Sequence, residues 1–133
     1  MKLSPIVIFA YNRPALTLKT LSALKNNKLH NKSKIIFYID KPKNKKDIKL
    51  NNKVIEIIKK EKSFRSKKII LRKKNYGLAK NFIDGITETF KQFDKAIILE
   101  DDNLVASKFL EFMNDSLEIY KNDNNAIIKT KKE

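Results

Sequence analysis

Apolar residues fall along this chain in two alternating rhythms. Unbroken runs at Ile6-Val7-Ile8-Phe9-Ala10, Ile35-Ile36-Phe37-Tyr38-Ile39, Ile69-Ile70-Leu71 and Ala96-Ile97-Ile98-Leu99 are too short for helices and lack their period. They predict strands buried on both faces. Between them the apolar spacing changes to three and four. Pro14 suits the first turn of a helix whose face is Leu18, Leu21 and Leu24 and which frays through Asn26-Asn27. Leu50, Val54, Ile57 and Ile58 predict a second helix after a polar loop from Lys41 to Asp47, with Lys59 and Lys60 where the helix dipole favours cations. Phe82, Ile86 and Phe90, with Ile83 beside them, mark a third. A fourth, capped by Ser107, carries Phe109, Phe112, Met113, Leu117 and Tyr120.

The second strand is expected over Lys34 to Ile39 and the third over Lys68 to Leu71, and Ala126-Ile127-Ile128 could begin a fifth. Strict alternation of buried strands with amphipathic helices argues for an α/β fold: one domain with an open, mostly parallel sheet and helices on both faces. The most flexible piece should be Lys41 to Asn52, where polar residues dominate and Pro42 breaks regularity.

Composition narrows the picture. The 133 residues, 41% of them hydrophobic, suffice for a single core. The absence of cysteine removes disulfides and thiolate metal sites. No segment is long enough to span a membrane, so a soluble, cytoplasmic protein is expected, or one working at the inner membrane surface. The formal charge of +15 raises the alternative of a basic module that binds nucleic acid or another polyanion. Fifteen Lys or Arg lie between Lys41 and Lys74 against Asp47, Glu56 and Glu61, but only Phe64 interrupts them, whereas a nucleic-acid stripe interleaves aromatics or glycines. Nucleic acid is therefore not the expected partner.

Chemistry collects at the predicted strand ends, where open parallel sheets bind ligands. Asn12 and Arg13 follow the first strand, Asp40 the second, Arg72 and the Asn75 to Gly77 turn the third, and Glu100-Asp101-Asp102 the fourth. Three adjacent carboxylates repel one another, so either water screens them on a turn or a hard cation collects there. A rim of cations and carboxylates suits a metal-bridged diphosphate. With glycine only at Gly77 and Gly85, neither a dinucleotide fingerprint nor a Walker loop can be written. His30, the lone histidine, reads as a loop residue. A phosphoacceptor receiver needs an acidic pair where this chain has Tyr11-Asn12-Arg13.

The segments Ile6 to Pro14, Asn75-Tyr76-Gly77-Leu78-Ala79-Lys80-Asn81 and Ile97 to Asn103 resemble the opening half of GT-A-fold glycosyltransferases. The likeness is to enzymes similar to the Golgi N-acetylglucosaminyltransferase that acts on the mannose core of N-glycans, and to bacterial enzymes of polysaccharide biosynthesis. It implies a UDP-sugar donor, a glycan or lipid-linked acceptor, and Mn2+ or Mg2+ held by Asp102. By the same resemblance Asp101 contacts the ribose or the metal shell, Glu100 the donor sugar, Arg13 the diphosphate and Asp40 the uracil. Asn75, Gly77 and Asn81 border the nucleotide, and Lys80 stands where an arginine is commoner. Relatives continue for a second half that carries the acceptor site, so this chain is expected to be the donor-binding half, with no catalytic base assignable.

Overall fold

The computed structural model describes residues 2–122, and these alternate strand and helix throughout. The order is β1 Ile6–Ala10, α1 Pro14–Lys25, β2 Lys34–Ile39, α2 Lys45–Lys60, β3 Ser66–Leu71, α3 Leu78–Phe90, β4 Ile97–Glu100 and α4 Phe109–Ile119. The strands form one sheet in the order β3-β2-β1-β4, every neighbour parallel. Ile6 pairs with Ile35 on one side and Ile97 on the other, so the apolar runs lie in register. The α/β expectation of an open parallel sheet holds for the described residues. The suggested fifth strand at Ala126 to Ile128 lies outside them.

Side chains alternate across the sheet with a period of two, and each set meets helices. Ile6, Ile8, Ile35, Phe37, Ile97 and Leu99 pack against Leu21 and Leu24 of α1, Val54 and Ile58 of α2, and Phe109, Leu110 and Met113 of α4. Val7, Phe9, Ile36 and Tyr38 face the other way, onto Phe82 and Ile86 of α3. Helices thus cover both faces, three on one and one on the other. Gly85 lets α3 approach closely, because a Cβ there would lie 2.5 Å from the Phe9 ring.

Several local expectations need correcting. The buried face of α1 is Thr17, Thr20, Leu21 and Leu24, while Leu18 is exposed, because the helix turns Thr20 toward the Asp101 carbonyl after β4 and the Thr17 hydroxyl donates back to the Arg13 carbonyl. Asn27 does not belong to a frayed end: it is buried, donates to the Ala23 and Ala106 carbonyls and accepts from the Leu110 N–H. The loop expected from Lys41 to Asp47 gives way to helix at Lys45, and so does most of the stretch to Asn52 expected to be the most flexible, since the Asn44 side chain accepts from the Asp47 N–H and caps α2. Ser107 caps nothing; α4 begins after Lys108 without a side-chain cap. Ile83, Phe90, Phe112 and Tyr120 are exposed, because the sheet-facing stripes of their helices are narrower than the apolar spacing suggests. Strand order, which the pattern left open, puts β4 at an edge of the sheet among the described residues, paired only with β1.

Candidate functional site

The connection from β3 to β4 carries the chain past β2 and β1, so β1 has neighbours reached in opposite directions. Parallel sheets open a crevice at such a reversal, beyond the carboxyl ends of the strands. Here a cavity of about 530 Å³ occupies that edge. All four strand ends contribute: Asn12 and Arg13 after β1, Asp40 after β2, the Asn75 to Leu78 turn after β3, and Glu100 and Asp101 closing β4.

The acidic side is organised by one guanidinium. Arg13, pinned where Pro14 starts α1, ion-pairs with Asp101 through one nitrogen and with Asp102 at 3.3 Å through another. Asp101 is buried, its backbone carbonyl receiving the Thr20 hydroxyl at 2.7 Å. Burial pushes the Asp101 carboxyl above its ordinary range, although the hydrogen bond and charge of Arg13 pull the other way. Burial would lower Arg13, but Asp101, Asp102 and Glu100 together hold its pKa above the usual value. Glu100 is exposed and lines the cavity. The Asn103 side chain accepts from its N–H at 2.7 Å and forms the turn. Asp102 meets the site through Arg13 rather than through the cavity wall.

Opposite lies a turn built on Asp40, which is only 6% exposed. One carboxylate oxygen accepts the N–H groups of Lys41 at 2.9 Å and Tyr76 at 2.8 Å. The other takes the Gly77 N–H at 3.0 Å and, more loosely, the Asn75 amide at 3.4 Å. A carboxylate has about four lone-pair sites, so this one is filled by the chain itself. Gly77, at φ +83°, adopts the left-handed region that side chains resist and aims its N–H at Asp40.

Behind the turn, the buried Arg72 lies between the rings of Tyr38 and Tyr76, 4.9 and 4.8 Å from their centroids. It also donates to Asn81 Oδ1 at 2.8 Å and Glu88 at 3.1 Å. Arginine only donates, so it claims the oxygen of the Asn81 amide and leaves the NH2 end for the cavity that Asn81 lines.

A third wall comes from residues that sequence reasoning passed over. Asp47, in the first turn of α2, accepts the Tyr11 hydroxyl at 2.9 Å and the Asn12 amide at 3.0 Å. These two hydrogen bonds, Asn12 first, hold the Asp47 carboxyl below its usual pKa. Burial, foremost, and the Asp47 carboxylate raise that of Tyr11 against the pull of the Lys43 N–H, which its oxygen accepts at 3.0 Å. Asn51, fully inside, donates to the carbonyls of Tyr11 and Asp40 at 2.8 and 3.0 Å, tying two strand ends together. The cap pattern Asn44-x-x-Asp47 was the signal available for this wall. His30 lies elsewhere, in a short 3-10 turn, edge-on to Phe64.

Charge decides what the cavity can take. Asp40, Asp47, Glu100 and Asp101 line it against Arg13 and Lys43, so it is acid-rich inside a strongly basic molecule. Among the described residues no group of three or more His, Asp or Glu could hold a metal unaided. The donor set fits a different arrangement: a magnesium-like ion takes one or two carboxylates and completes its shell with phosphate oxygens and water. No protein-family model matches the chain, and no curated protein does either. No helix among the described residues is long and apolar enough to cross a membrane.

Proposed function

We propose that this cavity binds the nucleoside diphosphate of a sugar donor, UDP-sugar by resemblance, together with Mn2+ or Mg2+, as the donor half of a GT-A-fold glycosyltransferase. One observation carries the reading: Arg13, Asp40, Glu100 and Asp101 come from three strand ends to a single cavity, and Asp102 is joined to it by Arg13. Arg13 meets the diphosphate, with Asn12 beside it on the same turn. Asn81 offers its amide donors, and the backbone at Asn75 and Gly77 borders the base and ribose. Asp40 first builds that turn; its loose 3.4 Å partner, Asn75, is the one a base N–H can replace. Glu100 faces the sugar, Asp101 the ribose, and Asp102 is the metal ligand.

The metal, when bound, supplies the positive charge that lets a diphosphate enter an acid-lined cavity and stabilises it as a leaving group. Arg13 shares that charge by exchanging its carboxylates for phosphate oxygens. Transfer would end on a glycan or lipid-linked acceptor, and no described residue is assigned to hold it.

Calorimetric titration of UDP with and without Mn2+ tests the proposal. Binding should require the metal, and Asp102→Ala should weaken it by about tenfold or more. Metal-independent binding, or unchanged affinity in Asp102→Ala, would overturn it.

A further inference from the structure

The opposite edge of the sheet, where the strands begin, carries a second cavity of about 480 Å³ with the reverse electrostatic character. Lys2 precedes β1, Asn31 and Lys32 stand in the 3-10 turn before β2, Lys34 opens β2, Arg65 precedes β3 and Phe93 follows α3. Four of these are cations and none of the lining residues is an acid. None of the four forms an ion pair among the described residues, where seven of the thirteen acids do. The Lys34 ammonium lies over the Phe93 ring, 5.8 Å from its centroid, which directs it to this wall. The Arg65 backbone is held by the Ser33 carbonyl at 3.0 Å, so two of the cations stand on neighbouring, hydrogen-bonded segments. The adjoining groove adds Lys95 and has Asp94 as its single acid.

We infer that this cavity is an anion site for a phosphate-bearing group of headgroup size, separate from the nucleotide cavity and at the other end of the sheet. Convergent cations without a counter-charge repel one another, and a multiply charged phosphate relieves that repulsion while accepting several N–H donors at once. Its size and lining favour a compact ligand over a polymer. It has a single aromatic, Phe93, where a polymer track has successive stacking platforms. The phosphate could be free or could belong to an anionic lipid, and the two sources separate by experiment.

The whole chain is titrated in EDTA, which removes metal from the nucleotide cavity, with inorganic pyrophosphate as the free probe. Sedimentation with phosphatidylcholine vesicles, with and without phosphatidic acid, gives the lipid arm. Pyrophosphate should shift the amide resonances of Lys32, Lys34, Arg65 and Phe93. The pair Lys34→Glu with Arg65→Glu should weaken binding about tenfold, while Lys53→Glu with Lys59→Glu, an equal charge change on exposed positions of α2, should change it less than about twofold. Lys2→Glu with Lys32→Glu provides a second variant pair should the first misfold. Binding of pyrophosphate without vesicles identifies a free phosphate, and sedimentation that needs phosphatidic acid identifies a lipid; either supports the site. The inference falls if neither probe binds, if both charge-reversal pairs weaken binding equally, or if a single-stranded oligonucleotide binds this edge more tightly than pyrophosphate does. None of these outcomes bears on UDP binding with Mn2+.

Discussion

Asp40 illustrates how a residue can line the cavity, as its place after a strand suggests, and still spend its hydrogen bonds on the chain itself. Its position directly after a buried strand was visible in the pattern, but its four N–H partners come from residues 41 and 75 to 77, a pairing only the folded chain creates. Asp40→Ala should therefore lower stability by about 3 kcal/mol in urea unfolding, since three part-buried backbone donors lose their acceptor. It should also lower UDP affinity by releasing the turn. Gly85→Ala makes a second local test. The new methyl would meet the Phe9 ring at 2.5 and 2.7 Å and Tyr38 at 3.2 Å, and we expect a loss of about 1–3 kcal/mol. Arg13→Ala removes the cation that offsets the burial of Asp101, so the Asp101 carboxyl should titrate higher still, as followed by carboxyl carbon NMR.

Helices and loops were legible in kind but not always in extent. The apolar spacing located α1, α2, α3 and α4, yet Asn44, Asp47 and Asn51 looked like loop residues because asparagine and aspartate favour turns. Asn44 caps that helix, and the hydrogen bonds of Asp47 and Asn51 to Tyr11, Asn12 and Asp40, just beyond β1 and β2, fix it as a wall of the cavity. Asn27 is the parallel case, an asparagine whose amide serves the end of α1 and the start of α4 at once. Asn27→Ala should cost about 2 kcal/mol, measured by chemical denaturation. At the end of α2, burial would raise the Glu61 carboxyl. The Ser63 hydroxyl and N–H at 2.7 and 2.9 Å and the Lys25 ammonium at 3.0 Å outweigh it and hold the pKa at about 2 rather than 4.5. The folded state thus favours the ionised form. This contribution, about 3 kcal/mol, is complete above about pH 4.5 and is lost as pH falls toward about 2. Denaturation midpoints followed over that window should fall less steeply in Glu61→Gln.

For the molecule as a whole, strand order was the part hidden from sequence. Periodicity shows that strands alternate with helices, but not that β4 crosses to the far side of β1, and it is this crossing that brings Arg13 to Asp101 and Asp102. The charge was legible only as a total. Folding sorts it into an acid-lined cavity at one edge and a basic one at the other. The surplus of +15 should still repel itself, so the thermal midpoint should rise between about 20 and about 300 mM NaCl as screening lengths shrink.

The chain has four tyrosines and no tryptophan, and the stack around Arg72 therefore has an optical consequence. Tyr38 and Tyr76 sandwich a guanidinium, and Tyr11 shares its phenolic proton with a carboxylate on the cavity wall. With no indole to mask them, the ultraviolet emission of these phenols should change whenever a guest rearranges the Asn75 to Gly77 turn. The native protein thus carries its own dye, and occupancy of its cavity can be followed without labels.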